Sequence, residues 1–131
     1  MNPVSQQNDL GLLIGPQAGE SREYMKKDTG KASQPELLDP EFLLGVGAVL
    51  KFGATKYAPN RWREGMDWSR VYGALLRHLF AFWGGEELDE ETGLPHLHHA
   101  GCCLMFLSAY SGAKRGGRYS GSNYDEHDDR P

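Results

Sequence analysis

Four of the five histidines, His78, His96, His98 and His99, fall within 22 residues, and the same stretch carries five acids in six positions from Glu86 to Glu91. A divalent cation needs imidazole and carboxylate groups gathered in this way from facing elements. His96 and His99 are three apart, so a helix sets them about 60° apart on one face. His98, two from His96, points elsewhere. Glu86, Asp89 and Glu91 lie between two helical stretches, where they can fold back on the histidine pair, and His78 sits more than two turns earlier on the preceding helix. An acid-rich interhelical loop is also what a solvated turn looks like, and a lone helical histidine is usually structural. The conjunction is what points to a metal: acids without neighbouring cations, followed at once by HLHH.

A second group has different chemistry. Lys31, Lys56, Arg61, Arg63 and Arg77 supply cations around Tyr57, Asn60, Trp62 and Trp68. Cations contact phosphate oxygens, aromatic faces stack on a base and an amide reads its edge, so the group suits a nucleotide. The plainer alternative is that the tryptophans are core and the cations solvate a loop, and Trp68 fits that reading because it falls on a helical stripe. Three other motifs carry less. GKAS at 30–33 lacks the upstream glycine spacing and strand of a phosphate-binding loop. His127–Asp128 spells the HD pair of metal phosphohydrolases but lies in a tail. Cys102 and Cys103 sit on an apolar helical face and read as packing residues.

These groups need elements to position them. Asp39 can cap a helix with Pro40 at its first position, after which Phe42, Leu43, Val46, Val49 and Leu50 recur at helical spacing. Gly53 is a plausible end for that helix. Gly45 and Gly47 inside it cost about 1 kcal/mol each relative to alanine, and a close packing contact would justify them. Residues 56–65 read as a structured loop with turn formers at Pro59 and Asn60. Asp67 or Ser69 then caps a second helix, with Trp68, Val71, Tyr72, Leu75, Leu76, Leu79, Phe80 and Trp83 in one stripe up to Gly84–Gly85. Pro95 opens a third helix, with Leu97, Ala100, Leu104 and Leu107 as its buried stripe. No segment of convincing β period appears. The expected fold is all-α, a small bundle of three to four helices. Residues 1–35 form an irregular N-terminal segment, 36–112 the helical catalytic domain and 113–131 a mobile tail.

At 131 residues the chain has room for one such domain and its tails. A net charge of −4 excludes the basic excess of a nonspecific nucleic-acid binder, though not a small phosphate ligand. The longest apolar run, Cys102 to Leu107, is far short of a membrane helix, and the first residues do not form a signal peptide. Two adjacent cysteines cannot build a disulfide framework. The expectation is a cytoplasmic protein that binds neither membrane nor polymeric nucleic acid. So short a bundle gains burial by forming a homo-oligomer, a dimer or a tetramer.

KFGATKYAPNRWREG (51–65) and RHLFAFWGGEELDEETGLPHLHHA (77–100), preceded by GK at 30–31, resemble the phage-type dATP/dGTP diphosphohydrolases, a branch similar to the MazG-like all-α nucleotide pyrophosphohydrolases. The likeness spans about residues 28–110, and its elements are specific in combination. It implies a MazG-like, oligomeric enzyme dependent on Mg²⁺ or Mn²⁺ that converts a purine deoxynucleoside triphosphate, dGTP or dATP, to the monophosphate and pyrophosphate. In phages with 2-aminoadenine DNA that activity supplies the modified-base pathway.

MazG-like enzymes carry EExxE on one helix and ExxD on the next. Here Glu86, Glu87 and Glu90 spell the first, while no ExxD follows at the usual distance; Glu126 and Asp129 fit the letters but lie in the tail. The resemblance therefore implies a histidine-substituted metal site of Glu86, Asp89, Glu91, His96 and His99, with His78 as ligand, outer partner or phosphate contact. Glu86 or Glu91 would activate water, Lys56 or Arg77 would neutralise the leaving pyrophosphate, and Trp62 or Tyr57 would stack on a base read by Asn60. The main rival is a non-enzymatic helical metal-binding or adaptor protein. A third reading keeps hydrolysis but cleaves another phosphate bond.

Overall fold

The computed structural model describes residues 32–131. Residues up to Leu38 and residues from Asp39 form separate compact units. In the first, the described part is a single 3-10 turn at Pro35–Leu37; most of the irregular segment expected over 1–35, including Lys31, lies outside the described residues.

The second unit is built on three helices, α1 (Pro40–Lys56), α2 (Trp68–Trp83) and α3 (His96–Lys114). Among the described residues there is no strand, only one isolated bridge between Leu88 and Pro95, so the all-α expectation holds. Asp39 caps α1 as its sequence predicts: its carboxylate accepts from the backbone N–H groups of Glu41 and Phe42, and Pro40 opens the helix. The helix runs three residues past Gly53 to Lys56, because Gly53 keeps ordinary helical geometry and its carbonyl accepts the N–H of Tyr57 at 2.8 Å. The N-terminus of α2 departs from expectation. Asp67 stands at the cap position but makes no cap bond; its carboxylate faces His127 Nδ1 at 3.2 Å. The Ser69 N–H instead donates to Asp129, 60 residues away, at 2.9 Å.

α3 is the central helix, and α1 and α2 both pack on it. The core is Trp68, Val71 and Leu75 of α2, Ala100, Cys103 and Tyr110 of α3, and Tyr124. The predicted stripes were partly misplaced. Leu97 and Leu104 are exposed, and α3 buries Cys102, Cys103 and Tyr110 instead. Phe42 and Leu43 are also exposed, since α1 packs chiefly on α3 and buries no residue fully. Close approach between α1 and α3 depends on glycine. A Cβ at Gly45 would overlap the His98 imidazole, and one at Gly101 would overlap the Phe42 ring. Gly47 meets nothing.

Residues 113–131, expected as a mobile tail, fold back on α2. The Trp68 indole N–H donates to the Tyr124 carbonyl at 3.1 Å, satisfying a buried donor. Tyr124 packs on Tyr110 and Tyr119, and the Arg130 guanidinium lies over the Trp68 ring. Asp128 pairs with Lys114 and Arg130 at 2.7 and 2.8 Å. The few aromatic residues of this polar stretch are what bind it. No helix among the described residues is long and apolar enough to cross a membrane.

Candidate metal centre

α2 and α3 run antiparallel around a twelve-residue connection, residues 84–95, which brings the C-terminal part of one against the first turns of the other. Gly84 and Gly85 end α2, and Gly85 takes a φ of 105° that a larger residue resists. The acidic loop then reverses on itself: Asp89 N donates to the Leu94 carbonyl at 2.8 Å and Gly93 N, at a φ of 72°, returns to the Asp89 carbonyl. His96 N donates to the Glu87 carbonyl at 2.9 Å, which ties the loop to the first residue of α3. The EExxE letters therefore lie on a loop and do not share a helical face.

This geometry places His78 beside His96 and His99. The Nδ1 atoms of His78 and His96 are 2.9 Å apart, and the rings of His78 and His99 stack at 4.5 Å with 7° between planes. His78, Asp89 and His96 each offer a ligand atom, all within 4.8 Å of one another. His96 is 4% exposed, and its Nε2 is the one buried side-chain polar atom among the described residues without a hydrogen bond. Glu86 Oε1 stands 3.3 Å from that atom, close enough to pair with it but out of line for a hydrogen bond.

Thr92, which no sequence signal singled out, organises the cluster. Its hydroxyl and its N–H both donate to Asp89 Oδ2, at 3.1 and 3.0 Å. The hydroxyl oxygen meanwhile accepts from the Leu94 N–H and lies 2.7 Å from His99 Nε2. A hydroxyl has one proton and two acceptor positions. With the proton given to Asp89, His99 must carry its own proton on Nε2, which leaves its Nδ1 lone pair free.

Burial lowers the pKa of His78, and the adjoining His99 and His96 lower it further; burial also lowers that of His99. Both rings are therefore neutral at neutral pH, the form that ligates metals. Burial opposes ionisation of Asp89, but the two Thr92 hydrogen bonds and the neighbouring imidazoles outweigh it and hold the carboxyl below its ordinary value. Paired imidazoles and an ionised carboxylate gathered within 4.8 Å fit a divalent cation.

Of the other predicted site residues, Glu91 stands apart from the three-residue cluster and pairs with Lys56 Nζ at 2.8 Å. Lys56 also lies over the Tyr57 ring, which is 64% exposed. Asn60 takes a left-handed conformation at φ 63°, with its side-chain oxygen accepting from Arg63. Trp62 stacks on Phe106 at 4.9 Å and carries the Arg63 guanidinium over its ring, so it is packed into the fold. Trp68 is core, as the plainer reading held. Arg77 has no carboxylate partner among the described residues, and its charge is felt at His78. His127 pairs with Asp67 and Asp128 with cations, which settles the HD letters as structural. Both cysteines are buried and free, with burial pushing the Cys102 thiol up to about 12.

Residues 21–118 match the family model described as dATP/dGTP diphosphohydrolase, N-terminal. The chain belongs to this family. A dATP/dGTP diphosphohydrolase of Salmonella phage PMBT28 is 39% identical over 83 residues, which cover 63% of this chain. The matched part is 28% of that relative's length. No solved structure matches the chain. The family match contains α1, α2, α3 and the acidic loop, so the whole histidine–carboxylate cluster lies inside it.

Proposed function

We propose that this member of the family is a divalent-metal-dependent hydrolase that cleaves a purine deoxynucleoside triphosphate, dGTP or dATP, to the monophosphate and pyrophosphate. The observation that carries the reading is the cluster of His78, Asp89 and His96 within one family-matched segment. A cation bound there, Mg²⁺ or Mn²⁺ by family resemblance, would neutralise triphosphate oxygens and make an attacking water more acidic.

The chain's own groups supply the rest. His78, Asp89 and His96 would hold the ion, with His99 stacked against His78. Glu86, its side chain 44% exposed, stands beside His96 and would hold that ring in place for the ion. Glu91 and Lys56 hold each other at the rim, where a triphosphate would exchange the carboxylate for its own oxygens on Lys56. Arg77, without an anionic partner among the described residues, is the second cation for the leaving pyrophosphate. Tyr57, whose ring is exposed beside Lys56, offers the better stacking face, and Asn60 is near it in sequence as a base reader. Trp62 supports that loop from inside.

Hydrolysis of dGTP in phages that make 2-aminoadenine DNA would supply the monophosphate that the modified base is built from, and a homo-oligomer in the host cytoplasm fits that role. The test is incubation with each of the eight common NTPs and dNTPs plus Mg²⁺ or Mn²⁺, with products separated by anion exchange. Monophosphate and pyrophosphate, chiefly from dGTP or dATP, are expected. Release of inorganic phosphate or triphosphate would move the cleaved bond, and no turnover of any nucleotide would favour a non-enzymatic metal-binding module.

A further inference from the structure

The donor types at the centre say more than that a cation binds; the inference rests on the site proposed above and concerns which ion it takes. Two of the three clustered donors are imidazole nitrogens, and the Nδ1 atoms of His78 and His96 stand 2.9 Å apart. Ligand atoms about 2.1 Å from a shared ion stand about 3.0 to 3.4 Å apart, from right-angle to tetrahedral arrangement, so 2.9 Å lies at the close end of that range. The two rings are therefore already spaced to share an ion.

We infer that the centre is a transition-metal site of His78 Nδ1, His96 Nδ1 and an Asp89 carboxylate oxygen, selective for imidazole-preferring ions such as Co²⁺ or Zn²⁺ over Mg²⁺. Mg²⁺ demands oxygen ligands in near-ideal octahedral array, and its usual protein sites are carboxylates and waters. Imidazole nitrogen favours the later first-row ions, with affinity rising from Mn²⁺ to Co²⁺. One carboxylate and two imidazoles are a poor magnesium set.

The surrounding contacts assign the remaining groups to positions outside the ligands. With His96 Nδ1 on the ion, its Nε2 carries the proton, and Glu86 Oε1 at 3.3 Å is the acceptor that a small rotation of this half-exposed side chain brings into line. A metal-bound histidine held from behind by a carboxylate is a recurrent arrangement, and it makes Glu86 a positioning residue for the ion. Thr92 does the same for Asp89, occupying Oδ2 with two hydrogen bonds and leaving Oδ1 for the ion. His99, with Nε2 spent on Thr92, backs the His78 ring by stacking.

The test is metal binding by the chelator-treated chain, read by calorimetry and by the visible absorption of Co²⁺. Co²⁺ should bind at least tenfold more tightly than Mg²⁺ and raise the melting temperature at concentrations where Mg²⁺ does not. Glu86→Gln should weaken Co²⁺ by about tenfold, and His96→Ala by about a hundredfold or more. Asp89→Asn, a change of similar shape in the loop outside both helices, should weaken Co²⁺ as well, which covers the case in which His96→Ala does not fold. Equal affinity for Mg²⁺ and Co²⁺, or Co²⁺ binding indifferent to Asp89→Asn and His78→Ala, would overturn the inference. Selective Co²⁺ binding with no nucleotide turnover would uphold it while removing the proposed hydrolysis. Turnover supported by Mg²⁺ with weak Co²⁺ binding would do the reverse.

Discussion

At the scale of single residues, the centre depends on a side chain that performs no chemistry. Thr92 gives its proton to Asp89 and takes one from His99, so replacing it by valine leaves a buried-side carboxylate and an imidazole without their partners at nearly constant volume. Thr92→Val should cut turnover about 10- to 100-fold, as loss of an outer partner does at metal sites, with the helical circular dichroism unchanged. Turnover equal to wild type would mean that Asp89 is held by something else. The histidines and acids were legible in the sequence because chemistry needs those residue types, and Asp89, His96, His99 and Glu86 were all named. Glu91 was named with them by its place in the acid run, and its lysine partner, 35 residues earlier, could not be read from spacing. Thr92 was invisible for a related reason: a threonine in a polar loop is ordinary until its three partners are known.

At the scale of elements, the two glycines of α1 separate cleanly. Both weaken the helix, but only Gly45 faces a neighbour, and its missing Cβ is the space that the His98 ring fills. Gly45→Ala should therefore destabilise the fold, because the ring at that position has to move before α1 can approach α3. Gly47→Ala should stabilise by about 1 kcal/mol, since it removes backbone freedom without meeting anything. Thermal denaturation of the two variants, side by side, checks both signs. The sequence marked the pair without distinguishing them, because periodicity locates a helix and says little about which residue of its partner lies opposite. The same limit explains the misplaced stripes. Leu97 and Leu104 have the spacing of core residues, yet the surface they share with Leu79 stays open as a groove of about 440 Å³ between α1 and α2.

At the scale of the folded unit, the all-α class and the helix starts were readable from periods and prolines, whereas the end of α1 and the closing segment were not. A stretch rich in glycine, serine and charge reads as a tail, but Tyr124 satisfies Trp68, and Asp128 and Asp129 tie it to α3 and α2. Both carboxyls are held below the ordinary value of 3.8, Asp128 by hydrogen bonds from Arg130 and Lys114 and Asp129 by those from Ser69. Groups whose folded pKa is depressed contribute stability above the unfolded value and lose it as pH falls through the folded one. The melting temperatures of wild type and an Asp128→Asn, Asp129→Asn double variant should differ by a constant amount at neutral pH, and the gap should close as pH drops below 3.8. A gap unchanged in strong acid would place the stabilisation elsewhere.

The three tryptophans also divide the molecule optically. Trp68 is buried under Arg130, Trp62 is stacked on Phe106, and Trp83, at the last residue of α2 where the acidic loop begins, is 87% exposed. Iodide should therefore quench one of three emitters, the red-shifted one, and leave the blue-shifted pair nearly untouched. The chain thus carries a native fluorophore three residues from Glu86, whose colour and quenching follow the loop at the centre independently of the light from the core.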